Sequence, residues 1–202
     1  MYDLIVVGGG AGGVFGAIAA KNRFPNEKVA LLEKSAVLLS KVKISGGGRC
    51  NVTHNCMDPK ILCQNYPRGS KELLGPFHRF GPKETIEWFE SRGVHLKKEA
   101  DGRIFPTTDS SETIIHCLIA EAKKLGVEIL FRQNIQTIEK KEKYFELILT
   151  TQVIKTKKLI LATGSNKEGY LFAKNLGHTI QEPVPSLFTF NFLFLKIYGR
   201  FF

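Results

Sequence analysis

Residues 2–7 form a short apolar, β-branched run that stops at a glycine-rich stretch over residues 8–13. Residues 14–22 then carry alanines and apolar side chains at helical spacing, and Pro25 with Asn26 ends that pattern before a second apolar run over residues 28–33. The pattern predicts strand, tight turn, helix and parallel strand, a βαβ unit of about 30 residues. From residue 35 to 110 the only long periodic segment is 83–92, set between Gly81-Pro82 and Gly93, which predicts a helix surrounded by loops and short strands. Residues 111–125 predict a strong helix, N-capped by Ser111 and ended by Gly126, followed by a strand over 127–131. Three short strands at 136–139, 144–150 and 152–156 suggest an antiparallel meander, and 158–163 reads as a separate apolar strand ending at Gly164. The order predicts a single α/β domain over residues 1–187, with an insertion at about residues 52–108.

Chemistry enters at the first turn. Gly8, Gly10 and Gly13 stand in G-x-G-x-x-G spacing between the predicted strand and helix, with Ala11 and Gly12 between the last two. Glu33 lies twenty residues beyond Gly13, at the end of the second strand. Gly8 permits the tight turn, Gly10 lets backbone approach a pyrophosphate, Gly13 lets helix and strand pack closely, and Glu33 can accept hydrogen bonds from a ribose diol. The spacing alone is weak evidence, but strand, helix and acid in register point to a dinucleotide. The acid disfavours a 2′-phosphorylated ribose.

Composition supports a folded domain and narrows the partners. The chain has 202 residues, 43% hydrophobic and 24% charged, enough for a core that needs neither disulfides nor metal. Lys+Arg 29 against Asp+Glu 19 gives +10, yet the basic residues scatter into small groups (Lys140, Lys141, Lys143; Lys155, Lys157, Lys158) that read as solvated faces. No nucleic-acid partner is expected from them. No apolar run reaches the roughly 18 residues a membrane span needs. Four cysteines without a C-x-x-C pair, and no signal peptide pattern, make the cytoplasm the default. Cys50, His54 and Cys56 lack the second ligand pair of a metal site, so no metal is expected. His78 and His95 receive no role, and His178 reads as a cap after a helix ending near Leu176.

Longer motifs carry a resemblance. Lys41-x-Lys43-x-Ser45-Gly46-Gly47-Gly48-Arg49-Cys50-Asn51-Val52-Thr53, then Gly102-Arg103-Ile104-Phe105-Pro106, Ala162-Thr163-Gly164, and Leu176-Gly177-His178 with Pro183-x-Pro185-Ser186-Leu187 resemble the HI0933-like flavoproteins. These are also described as BaiN-like or aminoacetone-oxidase-like NAD(P)/FAD-dependent oxidoreductases. The resemblance implies a Rossmann-like FAD-binding domain of the two-dinucleotide-binding flavoprotein type. FAD is its implied cofactor, with a small-molecule substrate and NAD(P)H as electron donor. Besides Gly8, Gly10, Ala11, Gly12, Gly13 and Glu33, the cofactor set implied is Lys34, Lys41, Ser45, Gly47, Gly48, Arg49, Cys50, Asn51, Thr53, Ile135, Ala162, Thr163 and Gly164. Within it, Arg49 is expected to add a planar cationic donor over the pyrophosphate, and Ile135 to touch the adenine end.

The resemblance also implies that family members run on through a substrate domain and a C-terminal return that this sequence lacks. Residues 188–202, with Phe188, Phe190, Phe192 and Phe194 alternating, read as an aberrant aromatic tail on a truncated chain. No general acid or base can be named. An FAD-dependent oxidoreductase is the leading reading. The alternatives are a catalytically inactive dinucleotide-binding remnant and, from the charge and similar folds in RNA modification, an RNA-modifying flavoprotein.

Overall fold

The computed structural model describes residues 1–184, so the aromatic tail at 188–202 lies outside the described residues. The chain runs β1 (Tyr2–Val7), α1 (Ala11–Arg23), β2 (Val29–Leu32), α2 (Ser40–Ile44), a 3-10 turn (Ser45–Gly48) and β3 (Thr53–His54). It continues α3 (Pro59–Cys63), α4 (Ser70–Arg79), α5 (Pro82–Glu90), β4 (Leu96–Lys98), β5 (Arg103–Pro106) and α6 (Ser111–Lys124). The remainder is β6 (Glu128–Leu130), β7 (Ile135–Lys140), β8 (Phe145–Leu149), β9 (Val153–Leu161) and α7 (Lys167–Asn175).

The main sheet has the order β6-β2-β1-β9-β8-β7, and the small sheet the order β3-β5-β4. The strands β6, β2, β1 and β9 are parallel, while β7, β8 and β9 form the antiparallel meander. Alternation along β1 sends Leu4 and Val6 into a core with α1 and α6, and Ile5 and Val7 into a second core with the meander and Phe172 of α7. A central strand buried on both faces is why residues 4–7 show no polar position.

Four expectations are corrected. Residues 152–156 and 158–163 are one continuous strand, β9, ending at Leu161. The polar stretch Lys155-Thr156-Lys157-Lys158 imitates a turn, but its ammonium groups pair with Glu146 (3.0 Å), Asp3 (2.8 Å) and Glu27 (2.9 Å), and the backbone stays extended. The α6 N-cap is Ser110, whose side chain accepts from Glu112 N–H, whereas the buried Ser111 hydroxyl donates to Lys43 C=O at 2.8 Å. The strand expected at 127–131 spans only β6, because Gly126 and Val127 still bond back to Lys123 and Ala122 of the helix end. Helix α4 was hidden by Gly75-Pro76, which lie inside it. It buries no residue of its own and packs on α3, with Phe77 against Tyr66 at 5.5 Å between ring centres. After α7, Gly177 takes a left-handed backbone and the His178 N–H donates to Ala173 C=O, so the cap at His178 is made by backbone.

Candidate functional site

The carboxyl ends of β1, β2 and β9 open onto a cleft of about 1060 Å³, where a Rossmann sheet places its ligands. The turn leaving β1 makes its floor. Gly8 has φ +108°, and a Cβ there would stand 2.5 Å from Ala162 C=O. A Cβ on Gly13 would stand 1.8 Å from Gly8 C=O, so only glycine lets α1 seat this close to β1. Gly10 and Gly12 meet nothing within 4 Å and border the cleft. Gly10 is the N-cap of α1 without a side-chain cap, and the first turn carries no acid, so the helix's free N–H groups and positive dipole end face an open space.

Glu33 stands on the opposite lip. Its Oε2 accepts from the buried Gly9 N–H at 2.7 Å and its Oε1 from Ser35 N–H at 2.8 Å. Half-burial pushes its carboxyl upward, but the N–H donors of Ser35 and Gly9 together prevail and hold it below the usual glutamate range. Two bound N–H groups leave further lone pairs on both oxygens for a vicinal diol. Gly9 was not singled out in the sequence. Its signal was adjacency to the motif, since a tight turn after β1 must aim some amide at the end of β2.

Across the mouth, Lys41 Nζ donates to Ser165 Oγ at 2.7 Å and Lys34 Nζ lies 3.4 Å from Glu168. Thr163 is clasped by Gly169 of α7, where a Cβ would meet its Oγ1 at 1.7 Å. The cleft lining brings together Gly8, Gly10, Ala11, Gly12, Glu33, Lys34, Lys41, Ser45, Cys50, Asn51, Ile135, Ala162, Thr163 and Gly164. Gly13, Gly47, Gly48, Arg49 and Thr53 lie outside that lining: Gly13 is spent on packing, and Arg49 turns to the small sheet. Cys50 is buried with φ +61°, and desolvation raises its thiol pKa, which leaves it a poor nucleophile. With its amide nitrogen toward the carbonyls, Asn51 donates to Thr53 at 2.8 Å and Ile104 at 3.3 Å. His54 Nε2 lies 3.0 Å from Asp101 C=O.

The structure also reveals an aromatic compartment that the sequence reading missed. Phe15 of α1 lies 5.2 Å from both Phe80 and Trp88, and Phe89 stands edge-on to Trp88 at 4.8 Å. These four line the same cleft. The sequence predicted a helix here, and nothing in the spacing of its apolar residues tells an apolar wall from an apolar interior.

The arrangement can bind a nucleotide anion at α1 and its sugar at Glu33, and the Cβ-free space at Gly10 fits such a group. A 3-dehydro-bile acid delta(4,6)-reductase from Clostridium scindens is 30% identical over 195 residues, which cover 93% of this chain and 47% of the relative. A ribosomal RNA dihydrouridine synthase from Escherichia coli is 29% identical over 181 residues, 90% of this chain and 44% of the relative. The chain thus spans about half the length of the curated relatives it matches. A flavocytochrome c3 fumarate reductase in an open conformation superposes with a TM-score of 0.65 at 18% identity, covering 88% of this chain and 41% of that one, which shows a shared fold. The family pattern described as HI0933-like protein Rossmann domain matches residues 2–185, and this chain belongs to that family.

Proposed function

We propose that the chain is the FAD-binding portion of an oxidoreductase that reduces a carbon–carbon double bond in an unsaturated ring. The observation that carries the reading is the pairing, in one cleft, of an uncapped α1 N-terminus with a carboxylate held in place by Gly9 and Ser35. The N–H groups at Gly10, Ala11 and Gly12 receive the diphosphate, Glu33 grips the adenosine ribose, and Ile135 borders the adenine. Lys41 supplies a cation beside the diphosphate, and Ala162, Thr163 and Gly164 shape the opposite wall. Ser45, Cys50 and Asn51 then face the flavin half. When bound, the flavin supplies the hydride at its N5, and NAD(P)H restores it.

The two relatives support the substrate class. One is named a delta(4,6)-reductase of a 3-dehydro-bile acid and the other a dihydrouridine synthase of ribosomal RNA, and reduction of a ring double bond is the chemistry we read as common to both. The bile-acid relative and the aromatic compartment favour a small apolar ring. The ribosomal relative favours the second reading, an RNA-modifying enzyme. Against it, Lys141, Lys155, Lys157 and Lys158 already pair with acids on the sheet surface.

Reconstitution tests the core of this reading. Purified protein mixed with FAD and desalted is expected to stay yellow and to bleach on anaerobic addition of NADH or NADPH. Colourless protein that never retains FAD rejects the flavin reading in favour of an inactive remnant. Salt titration against ribosomal RNA tests the second reading, since binding through lysines alone weakens steeply as salt rises.

A further inference from the structure

Gly46, Gly47 and Gly48 all have left-handed backbones, at φ +56°, +68° and +84°, and Cys50 follows at +61°. A run of this kind unfolds readily unless something holds it, because glycines lose the most conformational freedom on ordering and Cys50 adds about 1 kcal/mol of left-handed strain. One end is held by α6: the Ser111 hydroxyl donates to Lys43 C=O, and Lys43 pairs with Glu112 at 3.0 Å. The other end is held by the small sheet, where Val52 N–H donates to Ile104 C=O at 2.8 Å.

Between these anchors stands Arg49. Its Nη1 lies 2.5 Å from Glu99 Oε1 and 3.6 Å from Asp109 Oδ1, and its guanidinium sits 4.1 Å above the ring of the fully buried Phe105. Glu99 also takes Arg103 at 3.5 Å, and Asp109 also takes Lys97. We propose that Arg49 is a positioning residue that staples the turn at 45–53 to the small sheet, presenting Ser45, Cys50 and Asn51 to the cleft while its own charge stays off the diphosphate. Electrostatics supports this division. A phosphate pairing with Arg49 where it stands would meet two carboxylates already bound to the same guanidinium, and drawing the guanidinium away would leave both without it.

Hydrogen exchange on the unliganded full chain reads the staple directly. Arg49→Ala and Glu99→Gln are each expected to speed exchange at the Cys50 and Val52 amides by about tenfold, with β1 and β9 amides unchanged. The double variant is expected to be no faster than Arg49→Ala, as for two members of one unit. Arg49→Lys restores only part of the protection, since an ammonium neither forks between carboxylates nor lies flat on Phe105. Unchanged exchange in the single variants overturns the staple, and Glu99→Gln decides alone if Arg49→Ala does not fold.

Titrations with FAD and ADP test the second half, and only these rest on the flavin reading. Both single variants are expected to weaken FAD by a similar factor and to leave ADP, which has no flavin half, unaffected. If Arg49→Ala instead weakens ADP and FAD alike while Glu99→Gln, which frees the guanidinium, tightens both, Arg49 is a diphosphate ligand and the proposal falls. A wild-type chain that binds neither nucleotide defeats the flavin reading and leaves exchange to decide the staple.

Discussion

The glycines of residues 8–13 and those of 46–48 look alike as strings and solve different problems. In the first loop they divide into two kinds: Gly8 and Gly13 are pressed against Ala162 and against each other and Gly9 against Leu38 and Glu33, while Gly10 and Gly12 face empty cleft. In the second turn all three adopt left-handed backbones. There only Gly46 is crowded, its Cβ position 2.8 Å from Asn51 N and 3.1 Å from Phe105, while Gly47 has open space and lies outside the cleft lining. One cluster seats a helix on a strand and leaves a cleft open, and the other makes a bend. A glycine count cannot separate the two, because it does not say whether the missing Cβ or the freed φ is being used.

Substitution by alanine can break this contrast most forcefully at Gly13. The added methyl would collide with Gly8 C=O and force α1 off β1, at an expected cost of about 3 kcal/mol in urea unfolding. A variant as stable as wild type would show that helix and strand can slide apart freely, and would remove the packing role assigned to this position. Gly46→Ala comes next, combining a left-handed backbone with contacts to Asn51 and Phe105, at about 2 kcal/mol.

A matched pair sharpens the comparison further. Gly10→Ala exchanges a glycine N-cap for a poorer one, and Gly47→Ala places a side chain in the left-handed region; each costs about 1 kcal/mol. Stability therefore does not distinguish them, but FAD affinity does. Gly10→Ala is expected to weaken FAD by about tenfold or more, since its methyl occupies the approach to the diphosphate. Gly47→Ala is expected to leave it nearly unchanged. Equal losses of affinity in an FAD titration would place both clusters on the cofactor and erase the distinction drawn here.

The contrast also explains what the sequence could reveal. The βαβ unit was legible because each rule there is local: a β-branched run, glycines at fixed offsets and an acid at a fixed distance. The insertion was less so. Helix α4 carries its own breakers in Gly75 and Pro76 and is held by its neighbour α3, and β9 runs straight through a lysine-rich stretch whose charges are answered by Asp3, Glu27 and Glu146. Two of those answers, Asp3 and Glu27, come from residues distant in sequence. Arg49 has the same history, since the motif advertises its charge while Glu99, Asp109 and Phe105, which decide where it points, lie far along the chain.

The smallest expected effect concerns Glu33, whose carboxylate accepts from the Gly9 amide of the first loop. Despite the upward pull of burial, the Ser35 and Gly9 amides keep its folded pKa below the ordinary value, so the ionised form is the one the fold prefers. Its contribution is therefore complete above the unfolded pKa of about 4.3 and drains away as pH falls through the lower folded value. Because the carboxylate is half-exposed, the gain is expected to stay under about 1 kcal/mol. Urea unfolding of wild type and Glu33→Gln across the acid range should show the variant less stable at neutral pH and the gap closing as the medium is acidified. Parallel curves would mean that Gly9 and Ser35 bind a neutral amide as readily as a carboxylate, and the downward hold of these two amides on the Glu33 carboxyl would be refuted.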